Sequence, residues 1–165
     1  MKTLLAFILF ALSSLTYVNA MDNKTIRIST KDTDLILQVG ENGRLYQTYL
    51  GEKLLHEQDL QHFQWNIHAG SDGSVSKRGW EVYSGSGNED FFEPAISITH
   101  HDGNPSTILY YVSSSDKAVE GGTETTILLR DDRYPVEVTL HYIAYPKENI
   151  IKTWSEIRHQ EKKPV

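Results

Sequence analysis

The sequence predicts an all-β protein, an antiparallel β-sandwich that follows a short export signal. Three observations support this fold class. Apolar and polar residues alternate with a period of two in run after run, as in strands with one buried face. Clusters of Gly, Pro, Asn and Asp separate these runs at short intervals. Beyond the first twenty residues we find no persuasive helix, and the segment from Leu54 to Phe63 lacks a sustained period of 3.6 residues.

The first twenty residues have the organisation of a secretory signal peptide. Lys2 supplies a positive start, an apolar run extends from Leu4 to Leu12, and Val18-Asn19-Ala20 places small residues at the position where a signal peptidase cuts. The apolar run is shorter than the roughly 20 residues that a spanning helix needs. We therefore predict a signal peptide over residues 1–20, a mature domain over residues 21–165 without a membrane span, and export to the periplasm or the extracellular space.

Three short strands are predicted at the start of the mature chain. Thr25 to Thr30 and Asp34 to Val39 alternate apolar and polar residues, and Arg44 to Leu50 follows the turn sequence Gly40 to Gly43. Further runs share the alternation and are bounded by turn residues: Trp80 to Tyr83, Ala95 to His101, Thr107 to Val112, Thr123 to Arg130, Val136 to Tyr145 and Ile150 to Arg158.

The last two runs carry the clearest pattern. Val138, Leu140 and Tyr142 project to one face of the run Val136 to Tyr145, which predicts a buried row. The following run has apolar residues on both faces, as in a strand that lies between two layers. We therefore predict that Trp154, in that run, belongs to the core together with this row.

Composition excludes several classes of function. The formal net charge is −6, the charged residues of both signs are interspersed, and no basic stripe is present to bind a nucleic acid. The chain has no cysteine, which excludes disulfides, thiolate zinc sites and cysteine nucleophiles. No phosphate-binding loop or dinucleotide fingerprint occurs, so no cofactor is predicted.

The search for catalytic and metal-binding residues gives a negative prediction. The only dense acidic cluster, Glu89, Asp90 and Glu93, lies on a Gly-rich loop without an apolar pocket to raise a carboxyl pKa, so a turn-stabilising role is favoured. His100 and His101 are adjacent on a predicted strand and should face opposite sides, which excludes a shared metal ion. We predict no catalytic residue and no metal site in this chain.

Aromatic residues are the best indication of ligand binding. They surround the loops at Trp65, Trp80, Tyr83, Phe91 and Phe92, and an aromatic face can stack on a pyranose ring while polar groups bond its hydroxyls. We select Trp80, Tyr83 and Asp90 as the candidate sugar-binding residues.

Seven segments together resemble the N-terminal domain of family-36 glycoside hydrolases, the microbial α-galactosidases or melibiases. They are Gly79 to Tyr83, Ser84 to Asn88, Asp90 to Ala95, Leu128 to Asp131, Tyr134 to Tyr142, Asn149 to Ile151 and Trp154 to Ile157. The sequence departs from the family at Phe92 and Thr153, where the family has Arg, and at His159, where Asn is common. The change at Phe92 weakens any sugar-contacting role that the resemblance would give to this loop.

The resemblance implies a galactose-mutarotase-like β-supersandwich that precedes a (β/α)₈ barrel. It also implies a retaining mechanism with an aspartate nucleophile and an aspartate acid/base beyond Val165, so this chain alone is expected to be inactive. The implied partners are a galactoside substrate of the full-length enzyme, the C-terminal barrel and further copies in a homo-oligomer. The polar turn that starts at Glu161 likewise predicts a chain cut at the start of a new strand. Two alternatives remain open: a stand-alone carbohydrate-binding sandwich and a purely structural adhesion or interaction module.

Overall fold

The computed structural model describes residues 24–63, 80–87 and 93–162, with no side-chain description at Phe63 and Trp80. The strands are β1 (Thr25–Ser29), β2 (Thr33–Val39), β3 (Leu45–Glu52), β4 (Trp80–Glu81), β5 (Leu109–Val119), β6 (Gly122–Asp131), β7 (Val136–Tyr145) and β8 (Ile150–His159). A short 3₁₀ helix spans Glu57–Phe63. The predicted signal peptide lies outside the described residues.

The strands form two antiparallel sheets of four strands each, which confirms the predicted all-β class. Sheet I has the order β1-β2-β3-β4 and sheet II the order β5-β6-β7-β8, so every hydrogen-bonded neighbour is also a neighbour in sequence. Short turns rich in Gly, Pro, Asn and Asp connect most of these neighbours, whereas a long segment that contains the 3₁₀ helix connects β3 to β4. In the β7–β8 turn Asn149 adopts a φ of 55°, a left-handed conformation that Asn tolerates better than most residues.

The core consists of alternate residues from the facing sides of the two sheets. On β7 the predicted row is buried, with Val138, Leu140 and Tyr142 at 0%, 4% and 8% exposure. The other buried apolar members are Ile26, Ile28, Leu35, Leu37, Val39, Leu45, Ile96, Leu109, Ile127, Leu129 and Ala144. Burial of each such side chain contributes about 1.5–3 kcal/mol, which explains why the period-two pattern determines the layers.

The prediction that Trp154 belongs to the core is wrong. Trp154 pairs with His141, whose side chain projects away from the buried row of β7. Its ring is only partly buried and stacks on the His141 ring, with 4.6 Å between centroids and 5° between planes. The two faces of β8 have different surroundings. Ile151 and Ile157 lie on the core side of sheet II, whereas Trp154 lies on the opposite side, next to His141.

The predicted strand from Ala95 to His101 is also absent. Ile96 forms only an isolated parallel bridge with Gly85, and the chain turns at His100, whose carbonyl accepts the amide of Gly103. By contrast, β5 continues seven residues past the predicted end at Val112. Its polar second half is a strand because it pairs with β6 across the turn at Gly121.

Candidate functional site

An open cleft lies between the two sheets, next to β4 and β8. It has a volume of about 470 Å³ and is lined by Thr33, Leu35, Gln47, Leu50, Glu81, Val82, Tyr142, Asn149, Ile151 and Thr153. A smaller pocket of about 150 Å³ shares Val82, Tyr142 and Thr153 with the cleft and adds Tyr83. The combination of apolar walls with several amide, hydroxyl and phenol groups is typical of sites for neutral polar ligands.

Glu81 is the only carboxylate among the described residues that line the cleft, and it is paired with Arg44. Its side chain is 5% exposed, and both its oxygens accept bonds from the Arg44 guanidinium, with 2.9 Å between Arg44 Nε and Glu81 Oε1. A retaining glycosidase needs two carboxyl groups about 5–5.5 Å apart. The described lining of the cleft therefore does not supply a pair of catalytic carboxylates.

Two tyrosines give the cleft its aromatic surface. Burial raises the pKa of Tyr142 to about 12, so its phenol stays protonated and remains a hydrogen-bond donor at neutral pH. Tyr83 is half-buried, packs against the core, and its hydroxyl accepts a bond from Ser155 Oγ at 3.4 Å. Tyr83 thus reaches from the loop after β4 to the edge strand β8.

The β7–β8 turn contributes Asn149 to the lining of the cleft. Asn149 Oδ1 accepts bonds from the hydroxyl of Thr30 and, at 3.3 Å, from the amide of Asp32. Thr30 and Asp32 belong to the β1–β2 turn, so this one amide side chain ties the ends of sheet I and sheet II together. Asn149 adopts a positive φ in this turn and makes both of these hydrogen bonds from that conformation.

The three predicted sugar-binding residues are only partly described by the structure. The backbone of Trp80 pairs with Gln47 at the start of β4, next to the cleft, while its side chain and all of Asp90 lie outside the described residues. Tyr83 lines the smaller pocket. The sequence did not indicate that Tyr142 lines the cleft. Tyr142 lies on the same face of its strand as Val138 and Leu140, so the pattern predicted only that it is buried.

A second polar cluster joins the segment after β8 to the turn at His100. Glu161, with its side chain 1% exposed, accepts bonds from the rings of His100 and His101 at 2.6 and 2.7 Å and from the His101 amide at 3.0 Å. The two histidines therefore converge on one carboxylate, contrary to their predicted placement on opposite faces of a strand. Burial opposes the charge, but these hydrogen bonds lower the pKa of Glu161 to about 2.

Glu161, His100 and Thr107 are connected in the order of an acid–base–nucleophile relay, but the Thr107 hydroxyl is not accessible to a substrate. His100 Nε2 lies 3.0 Å from Thr107 Oγ1, and the His100 ring stacks on Tyr134 at 3.5 Å between centroids. Such a relay requires that substrate reach the hydroxyl. The side chain of His100 is 0% exposed and Thr107 is 0% exposed, so the network is structural.

The described residues contain no group of three or more His, Cys, Asp or Glu side chains that could hold a metal ion. In the same part of the chain no helix is long and apolar enough to cross a membrane.

The two antiparallel sheets and their shared core place the chain among the all-β sandwich domains. A family model, the glycosyl hydrolase family 36 N-terminal domain, matches residues 43–165. The chain therefore belongs to glycosyl hydrolase family 36, through the N-terminal domain of that family. This confirms the resemblance found from the sequence.

Solved structures give the same fold. The chain is similar to the α-galactosidase AgaA from Geobacillus stearothermophilus, with 22% identity and a TM-score of 0.66 over 84% of this chain and 22% of that one. The α-galactosidase from Lactobacillus brevis is 19% identical, with a TM-score of 0.64 over 82% of this chain and 21% of that one. The galactosidase domain of the α-galactosidase-sucrose kinase AgaSK is 22% identical, with a TM-score of 0.66 over 83% of this chain and 22% of that one.

This chain thus spans about a fifth of the length of the solved structures that it matches. Variants of AgaA have been solved in complex with raffinose and with stachyose. A search of curated proteins by sequence finds no match.

Proposed function

We propose that this chain is the non-catalytic N-terminal domain of an exported α-galactosidase that hydrolyses terminal α-galactosyl residues in oligosaccharides. The observation that carries the proposal is the match of the family-36 N-terminal domain to residues 43–165. The similar solved enzymes are α-galactosidases, and two of their complexes contain raffinose or stachyose. In this proposal the chemistry belongs to a barrel that follows this domain in a longer protein, and further copies of the protein form a homo-oligomer.

The non-catalytic role is supported by how the described carboxylates are used. Glu81 is paired with Arg44, and Glu161 is held by two histidines. Asp34, at 0% exposure, accepts bonds from Arg27, Ser29 and the Leu54 amide, which lower its pKa against the effect of burial. The pKa values of Asp34 and Glu161 lie below their ordinary values, whereas a proton donor needs a raised pKa.

The test compares this chain with the longer protein on a chromogenic α-galactoside. We expect residues 21–165 to be inactive and activity to require the region beyond Val165. An Asp90→Asn variant of the same chain is the matched control for the acidic loop. Turnover by residues 21–165 that disappears in Asp90→Asn would overturn the proposal and make Asp90 catalytic.

Export forms a separate part of the proposal. The support is the sequence of residues 1–20, with its positive start, apolar run and small residues before the cleavage position. Expression of the whole chain in a bacterial host, followed by fractionation and N-terminal sequencing, should give a mature protein that starts at Met21. A cytoplasmic product that retains Met1 would contradict export.

A stand-alone carbohydrate-binding module is the second candidate, and the open cleft favours it. Its lining contributes an aromatic surface from Tyr83 and Tyr142 and polar groups from Gln47 and Thr153. We include Trp80 and Asp90 in this candidate site because they flank the same loop in sequence. Saturable binding of a galactoside to residues 21–165 by calorimetry, weakened at least tenfold in Tyr83→Ala, would support this function; Tyr110→Ala, on β5 in sheet II, is the control.

A further inference from the structure

The turn between β2 and β3 contains the pair Asn42-Gly43, the only Asn-Gly pair in the sequence. Asn-Gly favours tight hairpin turns, because both residues tolerate the left-handed conformation. Here Gly43 adopts it, with a φ of 75°. The same dipeptide is the one most prone to deamidation in water, since glycine has no side chain that hinders attack by its nitrogen on the asparagine amide. The pair that forms this turn therefore also has the composition of a modification site.

Deamidation of this pair is an intramolecular attack followed by hydrolysis. The backbone nitrogen of Gly43 forms a bond to Cγ of Asn42, the bond from Cγ to Nδ2 breaks, and Nδ2 leaves as ammonia with the proton that Gly43 loses. Water then opens the resulting succinimide at either carbonyl carbon. Attack of water at Cγ gives aspartate, whereas attack at the backbone carbonyl carbon gives isoaspartate, in which the chain continues through the former side chain. Water is the only co-reactant.

Both ends of the Asn42 side-chain amide are held by hydrogen bonds. Its Nδ2 donates to the Tyr46 hydroxyl at 2.8 Å, and its Oδ1 accepts the backbone amide of Arg44 at 3.1 Å. Tyr46 is 4% exposed, so the surrounding side chains fix its ring. Asn42 is exposed to water, yet its side chain cannot change rotamer without breaking both bonds.

The attacking nitrogen of Gly43 is held as well. Its N–H donates to the Gly40 carbonyl at 2.8 Å, and the Gly43 carbonyl accepts the amide of Tyr111 at 2.8 Å. Tyr111 belongs to β5, so the second bond joins this turn of sheet I to sheet II. Gly43 is buried. A buried amide proton in a backbone hydrogen bond becomes available to solvent base only when the structure opens locally.

We propose that Asn42 is a site of spontaneous deamidation and that the β2–β3 turn controls its rate through the Tyr46 hydroxyl. In the closed turn, hydrogen bonds fix both the attacking nitrogen and the side-chain amide, so the reaction proceeds from the opened turn. The Tyr46 hydroxyl lowers the population of the opened turn, because its bond to Asn42 is lost on opening. Isoaspartate adds a CH₂ group to the backbone and removes the Nδ2 donor. The modified turn therefore cannot restore the same set of bonds.

The modification should weaken more than the turn itself. The bond between Gly43 and Tyr111 joins the two sheets, and the next residue, Arg44, binds Glu81 at the cleft. The isoaspartyl product carries a new carboxylate two residues before Arg44. We therefore expect the deamidated protein, separated by its extra negative charge, to unfold at a lower urea concentration than the unmodified protein. An equal midpoint would overturn this consequence.

Peptide mass spectrometry after incubation at mildly alkaline pH tests the proposal. Deamidation replaces an NH₂ group by OH, and chromatography separates the isoaspartyl peptide from the aspartyl peptide. We expect Asn42 to react at least about tenfold faster in the chain unfolded by guanidinium chloride than in the folded chain. Equal rates in the two states would overturn the control by the turn. An Asn42 that stays intact in the unfolded chain would overturn the assignment of the site.

Variants of single residues test the part that the Tyr46 hydroxyl plays. Tyr46→Phe should raise the rate in the folded chain about fivefold, the factor that corresponds to a hydrogen bond of about 1 kcal/mol. Tyr49→Phe is the matched control, because the Tyr49 hydroxyl donates to the Glu52 carbonyl, and it should leave the rate unchanged. In denaturant these variants and the original chain should react equally fast.

A core variant separates local opening of the turn from global unfolding. Leu140→Ala lowers the stability of the whole fold but does not touch the turn, so it should leave the rate at Asn42 unchanged while the chain remains folded. Equal acceleration by Leu140→Ala and Tyr46→Phe would show that the reaction follows global unfolding and would overturn the role of the turn. An unchanged rate in Tyr46→Phe would overturn the role of the hydroxyl.

Discussion

Asp131 provides the sharpest test of how the turns hold sheet II together. It lies at the end of β6 and is 4% exposed. Its Oδ1 accepts the amides of Arg133 and Tyr134, each at 2.8 Å, and its Oδ2 accepts the amide of Ile108 at 2.7 Å. One carboxylate thus fixes the β6–β7 turn and the entry to β5. Asp131→Ala removes all three acceptor contacts.

The expected loss of stability follows from those three bonds. A partly buried amide that loses its acceptor costs about 1–3 kcal/mol, and all three amides are partly buried. Because the turn lies at the surface, water can replace part of each bond, so we take about 1 kcal/mol for each amide. Asp131→Ala should therefore lower the free energy of unfolding by about 3 kcal/mol.

Equilibrium unfolding in urea measures this loss. Asp132→Ala is the matched control, because Asp132 is the next residue and is exposed, and its effect should stay within about 0.5 kcal/mol. The comparison requires equal m-values, so that the difference in midpoint reports stability alone. A loss below about 1 kcal/mol for Asp131→Ala, or equal losses for both variants, would refute the reasoning.

Three further predictions concern the core, the edge strand and the polar cluster. Leu140→Ala should cost about 2–5 kcal/mol in urea unfolding, and Trp154→Ala about 1–2 kcal/mol because it leaves no enclosed cavity; a larger loss for Trp154→Ala would contradict its surface placement. Gly85→Ala should destabilise the fold, since a Cβ there would lie 1.9 Å from the Thr107 carbonyl oxygen, and an unchanged melting temperature would count against this contact. Glu161→Gln should lower the urea midpoint at pH 7. Because the folded pKa of Glu161 is about 2, below its ordinary 4.5, that difference should shrink as the pH falls from about 4.5 toward 2, and a difference independent of pH would be evidence against the charge.

The sequence predicted strands best where one face is buried and the pairing is local. The runs that became β2, β6 and β7 were placed within one or two residues, because period-two burial and adjacent turns act on the same segment. Ala95 to His101 has the same alternation, yet its backbone is bonded mainly to loop segments such as Ser84 and Asn104. Such distant backbone contacts leave no trace in a local pattern.

The polar clusters could be predicted least. Glu161 and His100 are 61 residues apart, and neither has a neighbour in sequence that indicates the contact. His141 shows the same limit, since its position between Leu140 and Tyr142 indicates that it faces away from the buried row but does not indicate that it stacks on Trp154. Side-chain pairs of this kind depend on strand register and on loop positions, which the turns determine only after the sheets have formed.

The two sheets differ in extent, and this difference links the cleft to the edge of β8. β4 has two residues, while β8 beside it on the other sheet has ten, so within the described residues sheet I ends where sheet II continues. The cleft is open for the same reason that Thr153 is exposed. A galactoside that binds residues 21–165 and binds the Tyr83→Ala variant at least tenfold more weakly would place the sugar in this cleft, whereas equal binding by both proteins would locate the sugar elsewhere.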